Sequence, residues 1–194
     1  MAATRNLHKV RELRRLLKGL PVRLVTLDRF PGIPPVHEDG ATFLANAVKK
    51  AVQTSRHTIL PVLAEDSGLE VRSLGGKPGV RSARFAGKNQ DDRANVEKLL
   101  RLLCGVPPER RQGRFVCVMA LAAGGRIIRT FHGVCRGTIA AGRAGRGGFG
   151  YDPVFIPAGF RKTTAQVSPA VKDRVSHRGQ AARALARWIT TSAD

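Results

Sequence analysis

Residues 114–123, Arg-Phe-Val-Cys-Val-Met-Ala-Leu-Ala-Ala, carry almost nothing polar and stop at Gly124-Gly125. An apolar run of this length, bounded by a turn signal, reads as a central strand buried on both faces. The two glycines predict a hairpin into residues 126–135, with 137–139 extending a little further. Helical stripes surround this hairpin. Leu7, Val10, Leu13, Leu16, Leu17 and Leu20 recur at helical spacing, with Asn6 as N-cap and Gly19 and Pro21 as the stop. Residues 43–54 form a second helix capped by Thr42 or Asp39, and Asp91 or Asp92 caps a third that runs to about Leu103. Ser168-Pro169 opens a short fourth helix, and Ser176 caps a last one with Ala181, Ala184, Leu185, Trp188 and Ile189 on its apolar face. Residues 22–27 read as an early strand. Strands alternating with helices, followed by a hairpin, indicate an α/β (α+β) domain with a mixed sheet, spanning residues 1–194 as one domain.

Composition narrows the function. The apolar fraction is 42%, too high for a disordered chain, and no run is long enough to span a bilayer. The first residues turn polar at once, unlike a signal peptide. Cys104, Cys117 and Cys135 are odd in number and form no Cys-x-x-Cys pair, so they read as reduced core residues of a cytoplasmic protein. Lys and Arg number 34 against 14 Asp and Glu, a net of +20, and such a field attracts polyanions. The basic residues are scattered rather than gathered in an arm, and aromatics are only 5%, which argues against a single-strand stacking platform.

Chemistry concentrates at residues 63–71, Leu-Ala-Glu-Asp-Ser-Gly-Leu-Glu-Val. Residues 61–64 read as a strand end and 69–71 as a new extended piece, with Glu65-Asp66-Ser67-Gly68 as a turn between them. Adjacent carboxylates repel unless a proton or cation lies between them, and hard oxygens suit Mg²⁺. The same residues also fit a solvated acidic turn. Glu38 and Asp39 could face these acids or simply favour a helix N-terminus. Lys9 stands on the first turn of the first helix, whose free N–H groups suit an anion. Residues 145–150 satisfy G-x-G-x-x-G, but residues 151–156 follow as a strand and not a helix, so the dinucleotide fingerprint is rejected. What remains is a glycine loop ending in Phe149, Tyr151 and Asp152, whose aromatics could face a base or plug the core. His177 and Arg178 on a helix's first turn oppose its dipole, a placement that a carbonyl or anionic ligand would explain.

Six separated segments, in order, carry a resemblance. They are Thr4-x-Asn6-x-x-Lys9-x-x-Glu12, Glu38-Asp39-Gly40-x-Thr42-Phe43-x-x-Asn46-Ala47, Glu65-Asp66-Ser67-Gly68-Leu69, Gly75-Gly76-x-Pro78-Gly79-Val80-x-Ser82-Ala83-Arg84, Gly147-Gly148-Phe149-Gly150-Tyr151-Asp152-Pro153 and Ser176-His177-Arg178-Gly179-Gln180. The chain resembles the inosine triphosphate pyrophosphatases, or XTP/dITP diphosphatases. The resemblance implies an elongated mixed sheet with two lobes around a nucleotide cleft, and a homodimer. It also implies Mg²⁺-dependent cleavage of ITP, dITP or XTP to the monophosphate and pyrophosphate, which cleanses the nucleotide pool. Glu38 and Asp66 would hold one Mg²⁺, with Glu65 as a further candidate, and Asp66 would activate the attacking water. Thr4, Asn6 and Lys9 would cradle the triphosphate within a substrate-binding segment that includes Arg5, Leu7 and His8, and Lys9 would also be catalytic. Ser67 and Lys172 would add phosphate or sugar contacts. Phe149 would stack on the base, with Gly150, Tyr151 and Asp152 shaping its pocket. His177 and Arg178 would read the 6-oxo edge of a purine, satisfying a donor that an amino group would leave unpaired.

Three departures from the family pattern bear on activity. Arg5 replaces a glycine, only Met1-Ala2-Ala3 precede the first motif, and Ala45 stands where a Glu is common. Either the first strand is shortened, which would weaken support for the phosphate cradle, or the true start lies upstream; Ala45 removes a capping-box partner of Thr42. Two other readings compete. One is a basic nucleic-acid-binding protein on this scaffold whose catalysis is lost. The other is a related pyrophosphatase preferring pyrimidine or modified bases. Nucleic acid is otherwise expected to bind only non-specifically, through net charge.

Overall fold

The computed structural model describes residues 1–87 and 91–191. In order along the chain come helices α1 (Leu7–Leu16) and α2 (Phe43–Ser55), strand β1 (Val62–Val71), helix α3 (Asp92–Leu102), strands β2 (Gln112–Ala123), β3 (Arg126–Ile139) and β4 (Phe155–Pro157), and helices α4 (Pro169–Val175) and α5 (His177–Thr191). The sheet order is β1-β2-β3-β4, so the apolar run is an internal strand, as its composition demands. Gly124 and Gly125 both adopt positive φ, 53° and 79°, the backbone that a two-residue hairpin turn requires. β4 pairs antiparallel with β3, Gly137 opposite Pro157. The mixed character of the sheet comes from Ala2, which makes parallel bridges to Thr26 and to Leu63 of β1. Ala3 N–H donates to Leu63 O at 2.8 Å, and Leu63 N–H donates to Met1 O at 2.7 Å.

Two compact units share these elements. The first comprises Met1–Asp66, Cys117–Gly133 and Arg178–Asp194; the second comprises Ser67–Val116 and Val134–His177. In the first, Leu13 of α1, Leu17 at its C-cap and Ala181, Ala182 and Leu185 of α5 pack with Leu63, Met119 and Phe131. In the second, Val96, Leu99 and Leu103 pack with Leu69, Val71, Phe115, Phe155 and Tyr151. Leu99 is wholly buried; each such side chain contributes roughly 1.5–3 kcal/mol through burial.

Several expectations change. The acids at 65 and 66 do not sit in a turn, because β1 runs unbroken from Val62 to Val71. Burial of all its flanking apolar residues outweighs the Ser67-Gly68 turn signal. Among the described residues, the strand expected at 22–27 shrinks to the parallel bridge of Thr26 with Ala2, and Val22 is exposed. Residues 152–154 form a 3₁₀ turn before β4, where Pro153 has no N–H for a ladder. Leu7 leaves the apolar stripe and is 67% exposed. Cys104 is exposed, whereas Cys117 and Cys135 are buried; burial pushes the Cys135 thiol up to about 11.

Gly137 fixes the β3–β4 pairing, because a Cβ there would overlap the Ile156 carbonyl oxygen. Gly137→Ala is expected to cost roughly 1–3 kcal/mol of stability, as overpacking against backbone does. Urea unfolding of the variant against wild type measures it.

Candidate functional site

The first helix opens as an anion-receptive terminus. Asn6 caps α1, its Oδ1 accepting the N–H groups of His8 at 2.9 Å and Lys9 at 3.1 Å. Thr4 Oγ1 accepts the Asn6 N–H at 3.1 Å, tying the approach to the cap. Leu7 and His8 are exposed on the first turn. Arg5 turns to the Ile33 carbonyl, 3.5 Å away.

Glu65 and Asp66, consecutive on β1, project to opposite faces of the strand. Glu65 is 2% exposed. Arg178 approaches it as a fork, Nε donating to Oε2 at 2.9 Å and Nη2 to Oε1 at 2.8 Å. Lys9 Nζ lies 3.1 Å from Oε1. Arg178 Nη1 also donates to Glu12 Oε2 at 2.6 Å. Two cations and two carboxylates thus close a neutral buried cluster that joins α1, β1 and α5. Burial alone would push the Glu65 carboxyl up, but the charges of Arg178 and Lys9 outweigh it and hold the group well below the usual carboxylate range. Burial would likewise lower Arg178, and Glu65 and Glu12 raise it instead.

Asp66 lives in a different environment. Asn46 Nδ2 donates to its Oδ2 at 2.9 Å, and Asn46 is itself fixed by accepting the Gly40 N–H at 2.7 Å. Burial raises the Asp66 carboxyl above its ordinary range; the Glu38 charge adds to this, while Asn46, Lys9 and Lys50 oppose it. Glu38 pairs with Lys50 at 2.7 Å, and Lys50 also donates to the Glu65 carbonyl at 3.2 Å. Asp39 pairs with Lys49 at 2.6 Å instead. Thr42 Oγ1 accepts the Ala45 N–H at 3.1 Å, so the α2 cap forms without a Glu at 45.

The donor set suits a hard cation. Glu38 and Asp66 offer carboxylate oxygens whose mutual repulsion a cation would relieve. Among the described residues no group of three or more His, Cys, Asp or Glu could hold a metal ion. A cation at Glu38 and Asp66 would therefore fill its shell with water and ligand oxygens, the habit of Mg²⁺ at phosphates. Glu65, already forked to Arg178, is engaged elsewhere.

The second unit holds the glycine-loop residues. Asp152, 3% exposed, accepts the Phe149 N–H at 2.8 Å, receives the Lys172 ammonium on the same oxygen, and takes the Thr164 hydroxyl at 2.9 Å on the other. Gly148 is required beside it: its φ is +71°, and a Cβ would overlap Asp152 Oδ2. Lys172 Nζ lies 5.0 Å from the centre of the half-buried Phe149 ring. Tyr151 plugs the core, its hydroxyl donating to Ser82 O at 2.9 Å. His177 stacks on Phe115, ring centroids 4.6 Å apart and planes 9° apart.

The expected residues thus gather as two sets. Thr4, Asn6, Lys9, Glu38, Glu65, Asp66 and Arg178 lie in the first unit. Ser67, Phe149, Gly150, Tyr151, Asp152, Lys172 and His177 lie in the second. Glu12, Asn46 and Lys50 had no role assigned from sequence. Glu12 and Asn46 stood in the matching motifs, but their partners Arg178 and Asp66 lie far along the chain, beyond anything helical spacing signals.

Fold and site define an α/β protein with an anion-receptive helix terminus and paired hard-oxygen acids. Comparison with known proteins narrows this. The sequence profile of the Ham1 family matches residues 1–188, and the chain belongs to the Ham1 family. A dITP/XTP pyrophosphatase of Desulforamulus reducens is 49% identical over 179 residues, covering 92% of this chain and 89% of that one. Another, of Mycobacterium tuberculosis, is 49% identical over 185 residues, covering 93% and 90%. Among solved structures, a HAM1 protein from Coxiella burnetii matches with a TM-score of 0.89 at 37% identity, covering 98% and 97%. A dITP/XTP pyrophosphatase from Mycobacterium abscessus matches at 0.77 and 45% identity, covering 95% and 96%. The mixed α/β fold implied by the sequence resemblance is the fold found.

Arg178→Met would remove the cation that bridges the Glu12 and Glu65 carboxylates, leaving Lys9 against two buried acids. Breaking a buried ion pair from one side costs roughly 3–5 kcal/mol. Chemical denaturation is expected to show a loss of that size. Arg178→Lys should recover only part, because an ammonium cannot reproduce the fork.

Proposed function

We propose that the protein hydrolyses non-standard purine nucleoside triphosphates, XTP, dITP and ITP, to the monophosphate and pyrophosphate, clearing them from the cytoplasmic nucleotide pool. The observation that carries this is the pairing of Asp66, raised by burial and by Glu38, with the capped α1 terminus and Lys9 in the same unit. Relatives at 45–50% identity over more than nine-tenths of the chain are named dITP/XTP pyrophosphatases, which supports the same reading. Glu38 and Asp66 would hold Mg²⁺, which when bound supplies charge neutralisation at the phosphates. Asp66 orients the attacking water and accepts its proton; a carboxyl held above its ordinary range is a better base than an exposed one. The positive end of α1, the Thr4 hydroxyl and the Asn6 amide receive phosphate oxygens, and Lys9 adds a charge that strengthens as negative charge builds on the leaving pyrophosphate. Ser67 and Lys172 add phosphate or sugar contacts.

Phe149 offers its ring to the base, held by the bonds that Asp152 makes to its N–H and to Lys172. His177 and Arg178 face the 6-oxo edge as donors. Arg178 is buried and donates to Glu65 and Glu12, so reading the base requires its guanidinium to give up part of that cluster on binding. No observation favours a nucleic-acid interface.

The test is pyrophosphate release across a panel of nucleoside triphosphates with Mg²⁺ and with chelator. Turnover of dITP and XTP well above dATP and dGTP, lost on chelation, is expected. Asp66→Asn should reduce kcat by at least about 100-fold, the scale of a lost general base, with the thermal midpoint retained; equal rates on all nucleotides would overturn the reading. A homodimer belongs to the same proposal, and light scattering should return twice the 21.0 kDa chain mass.

A further inference from the structure

The motif at residues 75–84 and the start of α3 have no role in the chemistry above, yet both converge on the loop that carries Phe149. Asp91 caps α3, its Oδ1 accepting the N–H groups of Arg93 at 2.8 Å and Ala94 at 3.1 Å. Asp92, the next residue, uses its carboxylate outside the helix: Oδ2 accepts the Gly150 N–H at 2.7 Å, from 58 positions along the chain. Asn95 and Lys98 follow at helical spacing on the same face. Asn95, 2% exposed, accepts the Ala86 N–H at 2.7 Å and donates to Ala83 O at 3.1 Å. Lys98 donates to Phe85 O at 2.6 Å. The segment so held presents Ser82, whose carbonyl takes the Tyr151 hydroxyl and whose Oγ accepts the Leu69 N–H at 2.8 Å. Three consecutive residues, 149 to 151, are therefore each fixed by a different group: Asp152, Asp92 and Ser82.

We infer that Asp92 is a positioning residue for nucleotide recognition, acting through the Gly150 N–H to hold the Phe149 ring where it meets the base. The inference rests on the proposed role of Phe149. Asp92 differs from the other two anchors in lying at the surface, on the first turn of α3, where its removal leaves the helix cap and the core of the second unit in place. A carboxylate at that turn also favours the helix dipole, a purely structural effect that would alter stability and not substrate affinity.

Steady-state hydrolysis of dITP by wild type, Asp92→Ala, Asp92→Asn, Phe149→Ala and the Asp92→Ala/Phe149→Ala double variant separates the two roles, with melting curves alongside. Asp92→Ala is expected to raise KM roughly tenfold, the scale of one lost charge-assisted hydrogen bond, while kcat holds. Asp92→Asn, which keeps an acceptor oxygen at the same reach, should restore most of it. In the Phe149→Ala background, Asp92→Ala should add nothing, because residues acting as a unit are not additive. A wild-type KM in Asp92→Ala, or additive effects in the double variant, would sink the inference. If the alanine variant does not fold, Asp92→Glu, which moves the acceptor by one methylene, carries the same comparison. A wild type that neither turns over dITP nor binds inosine monophosphate in calorimetry sinks the functional reading and this inference together. Turnover by wild type with an unaltered Asp92→Ala KM sinks this inference alone.

Discussion

Alternation along a buried strand is the constraint on which the first unit depends. Two adjacent carboxylates in a solvated turn would share one environment. On β1 they cannot, because successive side chains leave on opposite faces. Glu65 goes to the face where α1 and α5 pack, and there it collects Arg178 and Lys9. Asp66 goes to the face of α2, where it meets the Asn46 amide. One strand thus hands one charge to structure and leaves the other for chemistry. The cost of burying Glu65 is offset only because the cluster is complete. Among the described residues, no buried side-chain nitrogen or oxygen lacks a partner. A half-satisfied version would be worse than an apolar core.

The same cluster explains the arginine at the start of α5. Placed against the helix dipole, His177 and Arg178 look misplaced in the sequence. Arg178 is stabilised by two carboxylates from distant segments, and His177 is held by the face of Phe115. Local electrostatics of the helix end are weak, worth about 1 kcal/mol or less. A buried bidentate pair outranks them, so tertiary contacts decide the position.

Much of the fold was legible where periodicity and capping act locally. Asn6 and Ser168 were readable as caps, and Thr42 and Asp91 as one of two candidates each, because a cap is satisfied within three residues. The Gly124-Gly125 turn was readable for the same reason. The course of β1 was not. Ser67-Gly68 carries a turn signal, and only burial among non-local neighbours shows that the strand continues through it. The identity of the important acids was legible from ordered motifs, but the division of labour between them was not. Nothing within four residues of Glu65 announces Arg178, which lies 113 positions away. Glu12, read as one position of the first motif, and Asp92, read as a candidate cap, likewise hid their partners, Arg178 and Gly150. Burial reveals the first, and a bond to a distant loop reveals the second.

The two environments on β1 also assign roles by proton affinity. Groups whose surroundings push their ionisation apart are the ones that can divide acid–base work. Glu65 is held anionic by two cations, so it neither gives nor takes a proton near neutrality. A group locked in one charge state can orient neighbours and fix α1, but it cannot relay protons. Asp66 keeps more affinity for a proton than an exposed aspartate, through burial first and the Glu38 charge second. Those causes also raise its appetite for a cation, since a divalent ion relieves the same repulsion that a proton does. Proton and metal therefore compete for one carboxylate. The Lys9 and Lys50 charges bias that competition towards the ionised form that either role needs. A second carboxylate placed as close to Asp66 as Glu38, without Lys50 beside it, would raise its proton affinity further and work against both roles.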